Sequence, residues 1–411
     1  MKKVFIQTYG CQMNLADSEE MFAQLSARGF AATDELEQAD AVLINTCTVR
    51  DHAEHRAVSF LGRLGAWKRE KPGRRVIFAG CAAQRIGNQL KKQFPFLDIL
   101  SGAKEIEHFG DLLDKSGLFP SATPQGEVLK PGLTAYETVM RGCNFACTYC
   151  IVPSVRGPVK CLPHTDILAR VRAKAAAGAK EIMLLGQTVN AYKDGAVTFA
   201  DLLNKTSEIP GVARVRFTSP HPIYFTPQFL AAIKDNPKIA RHVHMPLQSG
   251  SSKVLAEMKR GYTRETALEK IHALKAAGFQ ISTDLIVGFP TETQEDFEQT
   301  LTLVDEACFS TAYCYKYSPR QGTVAAQMQL LAQNVLEQRL DILLNKVRGL
   351  AEAAYQAQVG TVQEVLMESA DKGRSSGSFW VKTRQSHPAG SIVRAEIEKS
   401  DGTLLFARNE L

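Results

Sequence analysis

Three apolar runs near the start of the chain each end in a cysteine, and their regular spacing constrains the fold most strongly. The runs are VFIQTYGC, AVLINTC and RVIFAGC, which end at Cys11, Cys47 and Cys81. Helix-like sequence separates them, and the intervals of 36 and 34 residues suit βαβ units. The pattern predicts a doubly wound parallel sheet. The three cysteines would lie at the carboxyl edge of its strands, where such sheets bind ligands.

These edge cysteines (Cys11, Cys47 and Cys81) have two interpretations. A free cysteine often packs as a small apolar residue, so any one of them could belong to the core. Three cysteines in the same topological position favour a set of metal ligands instead. We therefore interpret the edge cysteines as a site with three thiolates.

A second set, the loop cysteines (Cys143, Cys147 and Cys150), lies in the segment MRGCNFACTYC. A [4Fe-4S] cluster takes one cysteine per iron, so three thiolates can hold it and leave one iron open. Zinc is the alternative, because short cysteine spacings also serve zinc. Zinc usually has a fourth ligand close by, and the nearest candidates, Cys161 and His164, are not placed as a matched pair. The spacing favours an iron–sulfur cluster.

The middle of the chain alternates predicted strands and helices about six times, which predicts a partial (βα)6 barrel with its chemistry at the strand C-termini. The candidate strands are YETVM, EIMLLG, ARVRFTS, RHVHMPLQS, ISTDLIVGF and TAYCYKYS. From Val362 the tail reads as short strands, which predicts a small antiparallel β-barrel. We expect domains at 1–115, 135–355 and 356–411, with a linker at 116–134.

Composition excludes several classes of protein. The 411 residues are 45% hydrophobic and 22% charged, as in ordinary globular proteins. The chain has no apolar stretch of membrane-spanning length and starts with too short an apolar run for a signal peptide. Nine cysteines, an odd number without an export signal, argue against a disulfide framework and for a cytoplasmic location. The net charge of +6 only weakly supports an anionic partner.

Ten motifs are spread over nearly the whole chain: TYGCQMN, INTCTVRDHAE, AGCAAQR, RGCNFACTYCIVPSVRG, LLGQTVNAY, SPHP, HMPLQSGS, MKRGYTRE, DLIVGFPTET and YKYSPRQGT. In this order they resemble the radical S-adenosylmethionine (SAM) methylthiotransferase family, and most closely its dimethylallyl-adenosine tRNA (MiaB) type. The tail resembles the TRAM domain, a small RNA-binding β-barrel.

The resemblance implies an enzyme that transfers a methylthio group to C2 of N6-dimethylallyladenosine at position 37 of tRNA. It implies that the loop cysteines hold a [4Fe-4S] cluster whose open iron binds SAM. The edge cysteines would hold an auxiliary [4Fe-4S] cluster that delivers sulfur. Reductive cleavage of SAM would yield a radical that abstracts hydrogen from the adenine ring, and a second SAM would supply the methyl group.

Two alternatives stay open. Relatives in the same family act on threonylcarbamoyl-adenosine in tRNA or on a ribosomal-protein aspartate, although TYGCQMN and NTCTVR favour the dimethylallyl-adenosine type. An alternative from another class is a non-catalytic iron–sulfur protein that binds RNA. The expected partners are the tRNA anticodon stem-loop, a flavodoxin- or ferredoxin-like electron donor and a sulfur donor. We expect a monomer without membrane association.

Polar residues that follow the predicted barrel strands are candidate SAM contacts, namely Gln187, Asn190, Gln248 and Ser249. Arg156 could pair with the SAM carboxylate or an RNA phosphate, because a guanidinium makes forked contacts. Each also has a structural interpretation, such as tying a loop, capping a helix or lying in solvent. No catalytic side chain is predicted, since the radical chemistry belongs to the cofactors.

The sequence departs from the family pattern after Arg156. The family usually continues after Gly157 with a glutamate and a Ser-Arg pair, whereas this chain reads PVKCLP over 158–163. Any contact of those family side chains is therefore missing here or supplied elsewhere.

The tail mixes basic and aromatic residues, as a surface that stacks on bases would. These residues are Arg374, Phe379, Trp380, Lys382 and Arg384. The tail as a whole carries no net charge, which weakens the case for electrostatic RNA binding.

Overall fold

The computed structural model describes residues 1–49, 51–123 and 131–410, so Arg50 and residues 124–130 of the predicted linker lie outside the described residues. Backbone contacts divide the chain into two compact units. The first comprises Met1–Lys130, Arg141–Cys143 and Ile151–Val159, and the second comprises Pro131–Met140, Asn144–Cys150 and Lys160–Leu411. The domain boundaries expected from the sequence stay predictions.

The first unit is built on a five-stranded parallel sheet. Its strands are β1 (Lys2–Tyr9), β2 (Phe30–Thr33), β3 (Ala41–Thr46), β4 (Arg75–Gly80) and β5 (Ile99–Gly102). Its helices are α1 (Gln12–Ser26), α2 (Asp51–Glu70), α3 (Cys81–Gln93), α4 (Phe109–Ser116) and α5 (Val152–Arg156). The strand order β2-β1-β3-β4-β5 changes direction between β1 and β3, which is the switch point of a doubly wound sheet. The predicted sheet is confirmed.

Apolar side chains cover both faces of this sheet. Every residue of β3 is buried, as expected for a parallel strand with helices on both sides. One face packs against α1 and α4 through residues such as Phe22 and Phe109. The other face packs against α2 and α3 through residues such as Phe60 and Leu90. The edge of the sheet, and not its faces, is therefore available for chemistry.

Residues 134–316 form further short strands. They are β6 (Thr134–Thr138), β7 (Met140–Arg141), β8 (Lys160–Cys161), β9 (Glu181–Leu185), β10 (Lys193–Asp194), β11 (Val197–Thr198), β12 (Arg214–Phe217), β13 (His242–His244), β14 (Gln280–Val287) and β15 (Thr311–Lys316). The helices are α6 (His164–Ala176), α7 (Phe199–Ser207), α8 (Pro227–Lys234), α9 (Ser252–Glu257), α10 (Arg264–Ala276), α11 (Gln294–Ala307) and α12 (Gln333–Gln356).

Six of these strands form the predicted half barrel within the second unit. They lie in two parallel sheets of three, ordered β12-β9-β6 and β13-β14-β15. An isolated parallel bridge between Thr218 and His244 joins the two sheets. The predicted segment RHVHMPLQS is a strand only at His242–His244. It stops there because Pro246 has no N–H with which to continue the ladder.

Four helices of the half barrel begin directly after a threonine. Thr198, Thr226, Thr263 and Thr293 precede α7, α8, α10 and α11, and each hydroxyl accepts from the backbone N–H three residues later. This bond satisfies one of the N–H groups that a helix start leaves unpaired. The sequence thus fixes where these four helices begin.

The tail closes into a five-stranded barrel in the order β16-β17-β18-β20-β19. Its strands are β16 (Val362–Met367), β17 (Lys372–Ser375), β18 (Trp380–Lys382), β19 (Ile392–Ser400) and β20 (Leu405–Glu410). All neighbours are antiparallel except β18 and β20, which are parallel. The sequence did not predict β17, because KGRS has no apolar alternation. Backbone pairing with β16 and β18 holds it in place.

Two arginines of β12 attach this barrel to the half barrel. Arg214 is 1% exposed and donates to the carbonyl oxygen of Arg374 at 2.9 Å. Arg216 donates to the carbonyl oxygen of Ser375 at 2.9 Å and to the carboxylate of Glu181 at 2.7 Å. These arginines bind backbone atoms of β17, so the attachment does not depend on the side chains of that strand.

We expect Arg216→Met to lower the free energy of unfolding of the second unit by about 3 kcal/mol, because it leaves the buried Glu181 with a weaker partner. Each unit contains one tryptophan, Trp67 or Trp380. Urea unfolding in a Trp67→Phe background therefore follows the second unit through Trp380 fluorescence.

The matched control is Arg384→Met. Arg384 pairs with Glu398 at 2.6 Å on the surface, where such a pair contributes about 0–1 kcal/mol. An equal loss of stability in the two variants would contradict the role given to Arg216.

Candidate functional site

The edge cysteines meet at one end of the first sheet. Cys11 follows β1, Cys47 follows β3, and Cys81 begins α3 directly after β4. Because β1, β3 and β4 are neighbours in a parallel sheet, their carboxyl ends bring the three thiols together. Cys11 and Cys47 lie on either side of the switch point, where sheets of this kind leave a crevice for a ligand. The topological prediction for these cysteines holds.

Gly80 allows β4 to turn directly into α3. Its φ is 94°, in the left-handed region that favours glycine. A Cβ at this position would lie 2.2 Å from Oδ1 of Asn45 and 2.7 Å from the carbonyl oxygen of Thr46. A larger residue would therefore push Cys81 away from the end of β3.

The three thiols affect one another. A hydrogen bond with Cys47 is the main cause that lowers the pKa of Cys11 to about 6; burial opposes this shift, and the guanidinium of Arg156 contributes to it. The same hydrogen bond, together with burial, raises the pKa of Cys47 well above its usual range. Burial also raises the pKa of Cys81. Cys11 is thus the thiol that most readily takes the thiolate form, which is the form that binds metals.

The donor set fits a cluster better than a single ion. Among residues 1–49, 51–123 and 131–410, no group of histidine, cysteine or carboxylate side chains is spaced to hold one metal ion. A zinc site would need four such ligands around one centre. A [4Fe-4S] cluster binds each cysteine through a different iron, so its three ligands stand further apart. The edge cysteines match a cluster in number and in ligand chemistry, and the ends of β1, β3 and β4 bring them to one edge of the sheet.

A buried carboxylate organises the charges beside the edge cysteines. Asp17, on α1, is fully buried and accepts one hydrogen bond from Arg141 and another from Arg156, the latter at 2.8 Å. Burial alone would raise the pKa of Asp17, but the two guanidiniums bring it below its usual value. The structure thus places Arg156 in the first unit, next to Cys11 and Cys81. Its contact with SAM stays a prediction.

The loop cysteines lie between β7 and α5. Within this loop Thr148 donates its N–H to the carbonyl oxygen of Met258 at 3.2 Å, and the N–H of Cys150 bonds the carbonyl oxygen of Cys147 at 3.1 Å. The guanidinium of Arg260 lies 3.5 Å from the sulfur of Cys147. The segment from Cys147 to Cys150 is therefore held by backbone bonds, with a positive charge beside one sulfur.

Arg260 lies in the motif MKRGYTRE and is not among the candidate residues predicted from the sequence. It is 8% exposed and also donates to the carbonyl oxygen of Pro246 at 2.8 Å and to the hydroxyl of Tyr262 at 3.2 Å. The burial of a loop arginine depends on what packs over it, which a motif does not reveal. The only indication of this role in the sequence was that Arg260 and Tyr262 lie in the same motif.

Two of the four predicted SAM contacts have their polar atoms engaged in loops. Asn190 accepts from the N–H of His221 at 2.8 Å and donates to the carbonyl oxygen of the same residue at 3.0 Å. Ser249 is 1% exposed, and its hydroxyl accepts from the N–H of Ser251 at 3.2 Å. Both geometries support the loop-tying interpretation.

The other two keep polar atoms available. Oε1 of Gln187 is buried and has no hydrogen-bond partner among the described residues. Gln248 has a φ of 81°, which is strained for a residue other than glycine, and its N–H bonds the carbonyl oxygen of Asp284 at 2.8 Å. That bond fixes the backbone of Gln248 and not its amide group. Contact of Gln187 and Gln248 with SAM stays a prediction.

One face of the β13-β14-β15 sheet, here called the His–Tyr face, carries His244, Asp284, Tyr313 and Tyr315. Nε2 of His244 lies 3.3 Å from Oδ2 of Asp284, and its ring centroid lies 5.7 Å from that of Tyr313. Tyr313 is 52% exposed and Tyr315 is 41% exposed. Two exposed aromatic rings next to a polar pair can stack on a base and hydrogen-bond its edge.

The C-terminal barrel presents one aromatic side chain between cations. Lys372 and Arg374 lie 4.4 Å and 4.3 Å from the ring centre of Trp380. Phe379, which the sequence analysis grouped with Trp380, is 3% exposed and packs against Tyr355 in the barrel core. Trp380 is therefore the aromatic residue of this pair that can contact RNA.

The sequence matches two known protein families and several curated proteins. Residues 138–304 match the radical SAM superfamily, and residues 3–102 match the uncharacterized protein family UPF0004. The chain is 39% identical to the tRNA-2-methylthio-N(6)-dimethylallyladenosine synthase of Sorangium cellulosum, over 98% of this chain and 88% of that protein. It is 37% identical to the enzyme of the same name from Geobacter metallireducens, over 97% of this chain and 96% of that protein.

Solved structures with the same fold are more distant in sequence. The radical SAM methyltransferase TsrM from Kitasatospora setae has a TM-score of 0.60 at 12% identity, covering 79% of this chain and 77% of that one. The cobalamin-dependent SAM radical enzyme OxsB has a TM-score of 0.52 at 12% identity, covering 86% of this chain and 56% of that one. At these identities the likeness concerns the fold alone.

We expect Asn190→Ala to lower the free energy of unfolding by about 1–3 kcal/mol, because it leaves the buried N–H of His221 without an acceptor. The carbonyl oxygen of His221 still accepts from the N–H of Tyr224 at 3.1 Å. Gln187→Ala removes a buried oxygen that has no partner among the described residues, so its cost should be smaller. Urea unfolding followed by circular dichroism compares the two variants. A larger loss for Gln187→Ala would contradict the assignment of Asn190 as a structural residue.

Proposed function

Because the chain belongs to the family of tRNA-2-methylthio-N(6)-dimethylallyladenosine synthases, we propose that it is a radical SAM enzyme of tRNA modification. It transfers a methylthio group to C2 of N6-dimethylallyladenosine at position 37, and it uses [4Fe-4S] clusters and SAM. The observation that carries this proposal is the presence of two separate sets of three cysteines. One set lies at the switch point of a doubly wound sheet, and the other lies in the loop after the first barrel strands.

Each cysteine set holds one cluster in this proposal. The loop cysteines bind the cluster that takes SAM at its open iron, and the edge cysteines bind the auxiliary cluster. When bound, the two clusters supply the electron that activates SAM and the sulfur that is transferred. Gln187 contributes to the SAM pocket, because its buried oxygen is the predicted contact that still lacks a partner among the described residues.

The chain itself positions the base. Ring chemistry on an adenosine in a loop requires the base to leave its stack. The His–Tyr face offers such a base two exposed rings for stacking and a His–Asp pair for its polar edge. The C-terminal barrel, which fits a TRAM domain, holds the anticodon stem-loop through Trp380 and its neighbouring cations.

The reaction also needs partners that supply electrons and sulfur. We assign these roles to a flavodoxin- or ferredoxin-like donor and to a separate sulfur donor, and we propose that the enzyme acts as a monomer. All nine cysteines are free thiols, which suits the reducing cytoplasm. In the described part of the chain, no helix combines the length and the apolar character needed to cross a membrane.

An anaerobic assay tests this function. The reconstituted protein is mixed with SAM, a reductant and tRNA that carries dimethylallyl-adenosine, and the nucleosides are analysed by mass spectrometry. We expect methylthio-dimethylallyl-adenosine, with 5′-deoxyadenosine formed in step. Matched tRNAs carrying unmodified adenosine or threonylcarbamoyl-adenosine serve as controls.

The other outcomes distinguish the alternatives. If product forms only on tRNA that carries threonylcarbamoyl-adenosine, the chain has the specificity of the relatives that act on that nucleoside. A protein that contains both clusters, binds tRNA and never cleaves SAM would be the non-catalytic RNA-binding protein.

The unaltered protein should bind about eight irons per chain after reconstitution, four in each cluster. Replacing all three edge cysteines by alanine should leave about four irons. Replacing all three loop cysteines by alanine should also leave about four. Iron and sulfide analysis measures this. The control is Cys308→Ala, an exposed cysteine outside both sets, which should keep about eight. Loss of all iron in either triple variant would contradict the assignment of two independent sites.

Trp380→Ala should weaken binding of the anticodon stem-loop about five- to tenfold, because one base loses its stacking partner. Fluorescence anisotropy with a labelled stem-loop measures the affinity, and the iron content should not change. Trp380→Phe keeps an aromatic ring and should recover most of the affinity. Unchanged binding in the alanine variant would remove Trp380 from the RNA surface.

A further inference from the structure

Helix α5 delivers one arginine to the edge cysteines. Ile151 and Val155 pack with Cys81 and Ala103 in a small apolar cluster, which holds α5 against the first turn of α3. Arg156 is the last residue of this helix, and 4% of its side chain is exposed. The packing of α5 thus fixes where its guanidinium lies.

The guanidinium of Arg156 is only partly used by protein partners. One terminal nitrogen donates to Oδ2 of Asp17 at 2.8 Å. The other terminal nitrogen is buried and has no hydrogen-bond partner among the described residues. A buried N–H group without a partner is destabilising, more so in a charged group, so its presence here needs an explanation.

The surrounding charges do not neutralise Arg156. Asp17 is shared with Arg141, and Arg141 has a second carboxylate of its own, Glu20, at 2.6 Å. Arg156 has no second carboxylate among its ion pairs in the described chain. Its positive charge acts on both Cys11 and Cys81, where it favours the thiolate over the thiol.

We propose that the free terminal nitrogen of Arg156 donates a hydrogen bond to sulfur at the auxiliary cluster of the edge cysteines, and that this contact sets the reduction potential of that cluster. Arg156 is a positioning residue in this role. Asp17, which also pairs with Arg141, fixes the orientation of the Arg156 guanidinium. Hydrogen bonds to cluster sulfurs and nearby positive charge stabilise the reduced, more negative state. The inference rests on the proposed cluster at the edge cysteines.

The test uses the full chain with the loop cysteines changed to alanine, so that the auxiliary cluster alone gives a signal. The reconstituted protein is titrated with redox mediators and followed by electron paramagnetic resonance. We expect Arg156→Met to make the midpoint potential more negative. Arg156→Lys keeps the positive charge but loses the two-pronged guanidinium. Its midpoint potential should lie between those of Arg156→Met and the parent.

The matched control is Arg74→Met. Arg74 is also a buried arginine of the first unit, but it stacks on Trp67 at 4.4 Å and bonds the carbonyl oxygen of Glu37. Its replacement should leave the midpoint potential unchanged. If Arg156→Met does not retain iron, Arg156→Lys decides the question, because it preserves the charge that balances Asp17.

Three results have separate meanings. A parent that binds no iron would overturn the cluster assignment and with it the proposed function. A parent with a normal cluster and an unchanged potential in both Arg156 variants would overturn this inference alone. The inference would also fail if Arg156→Met weakened SAM binding in the otherwise unaltered protein while the auxiliary potential stayed constant, since that result places Arg156 at SAM.

Discussion

The buried carboxylate of Asp17 is the interaction on which the first unit's chemistry depends. It joins α1 to Arg141 and Arg156, which come from sequence more than 120 residues away. A carboxylate without exposed surface is tolerated only with such partners, because an unpaired buried charge is very costly. The pairing of Asp17 with Arg156 accompanies the packing of α5 beside Cys81. One ion network thus couples the long-range fold of the first unit to the surroundings of its thiols.

The second unit uses buried arginines for a different purpose. Arg214 and Arg216 of β12 are paired with Glu181 and reach carbonyl oxygens of the C-terminal barrel. Backbone acceptors are fixed by strand pairing, so these bonds give the barrel a defined position on the half barrel. The hydroxyl of Ser378 adds a side-chain acceptor for Arg216 at 2.7 Å. In the proposed RNA complex, a rigid attachment would make Trp380 a fixed contact, and less conformational freedom would be lost on binding.

The sequence was sufficient to predict features that follow from chain topology. Hydrophobic periodicity and motif spacing predicted the parallel sheet and the half barrel. They also predicted the common edge of Cys11, Cys47 and Cys81, because the carboxyl ends of parallel strands lie at the same edge of a sheet. Features that depend on tertiary packing were not accessible. Nothing in KGRS indicates a strand, and an asparagine after a strand looks the same whether it binds a ligand or, as Asn190 does, ties His221. Arg156 is similar, because its partner Asp17 lies far away in sequence.

The departure of this chain from its family after Arg156 is compatible with an intact cluster loop, because backbone atoms shape that region. The N–H of Cys143 bonds the carbonyl oxygen of Gly157 at 3.1 Å. Gly142 has a φ of 76°, and a Cβ there would lie 2.1 Å from the carbonyl oxygen of Pro158. These contacts require glycine at 142 and tolerate many side chains at 158. The lost glutamate and Ser-Arg pair can therefore change what the region binds without changing how Cys143 is held.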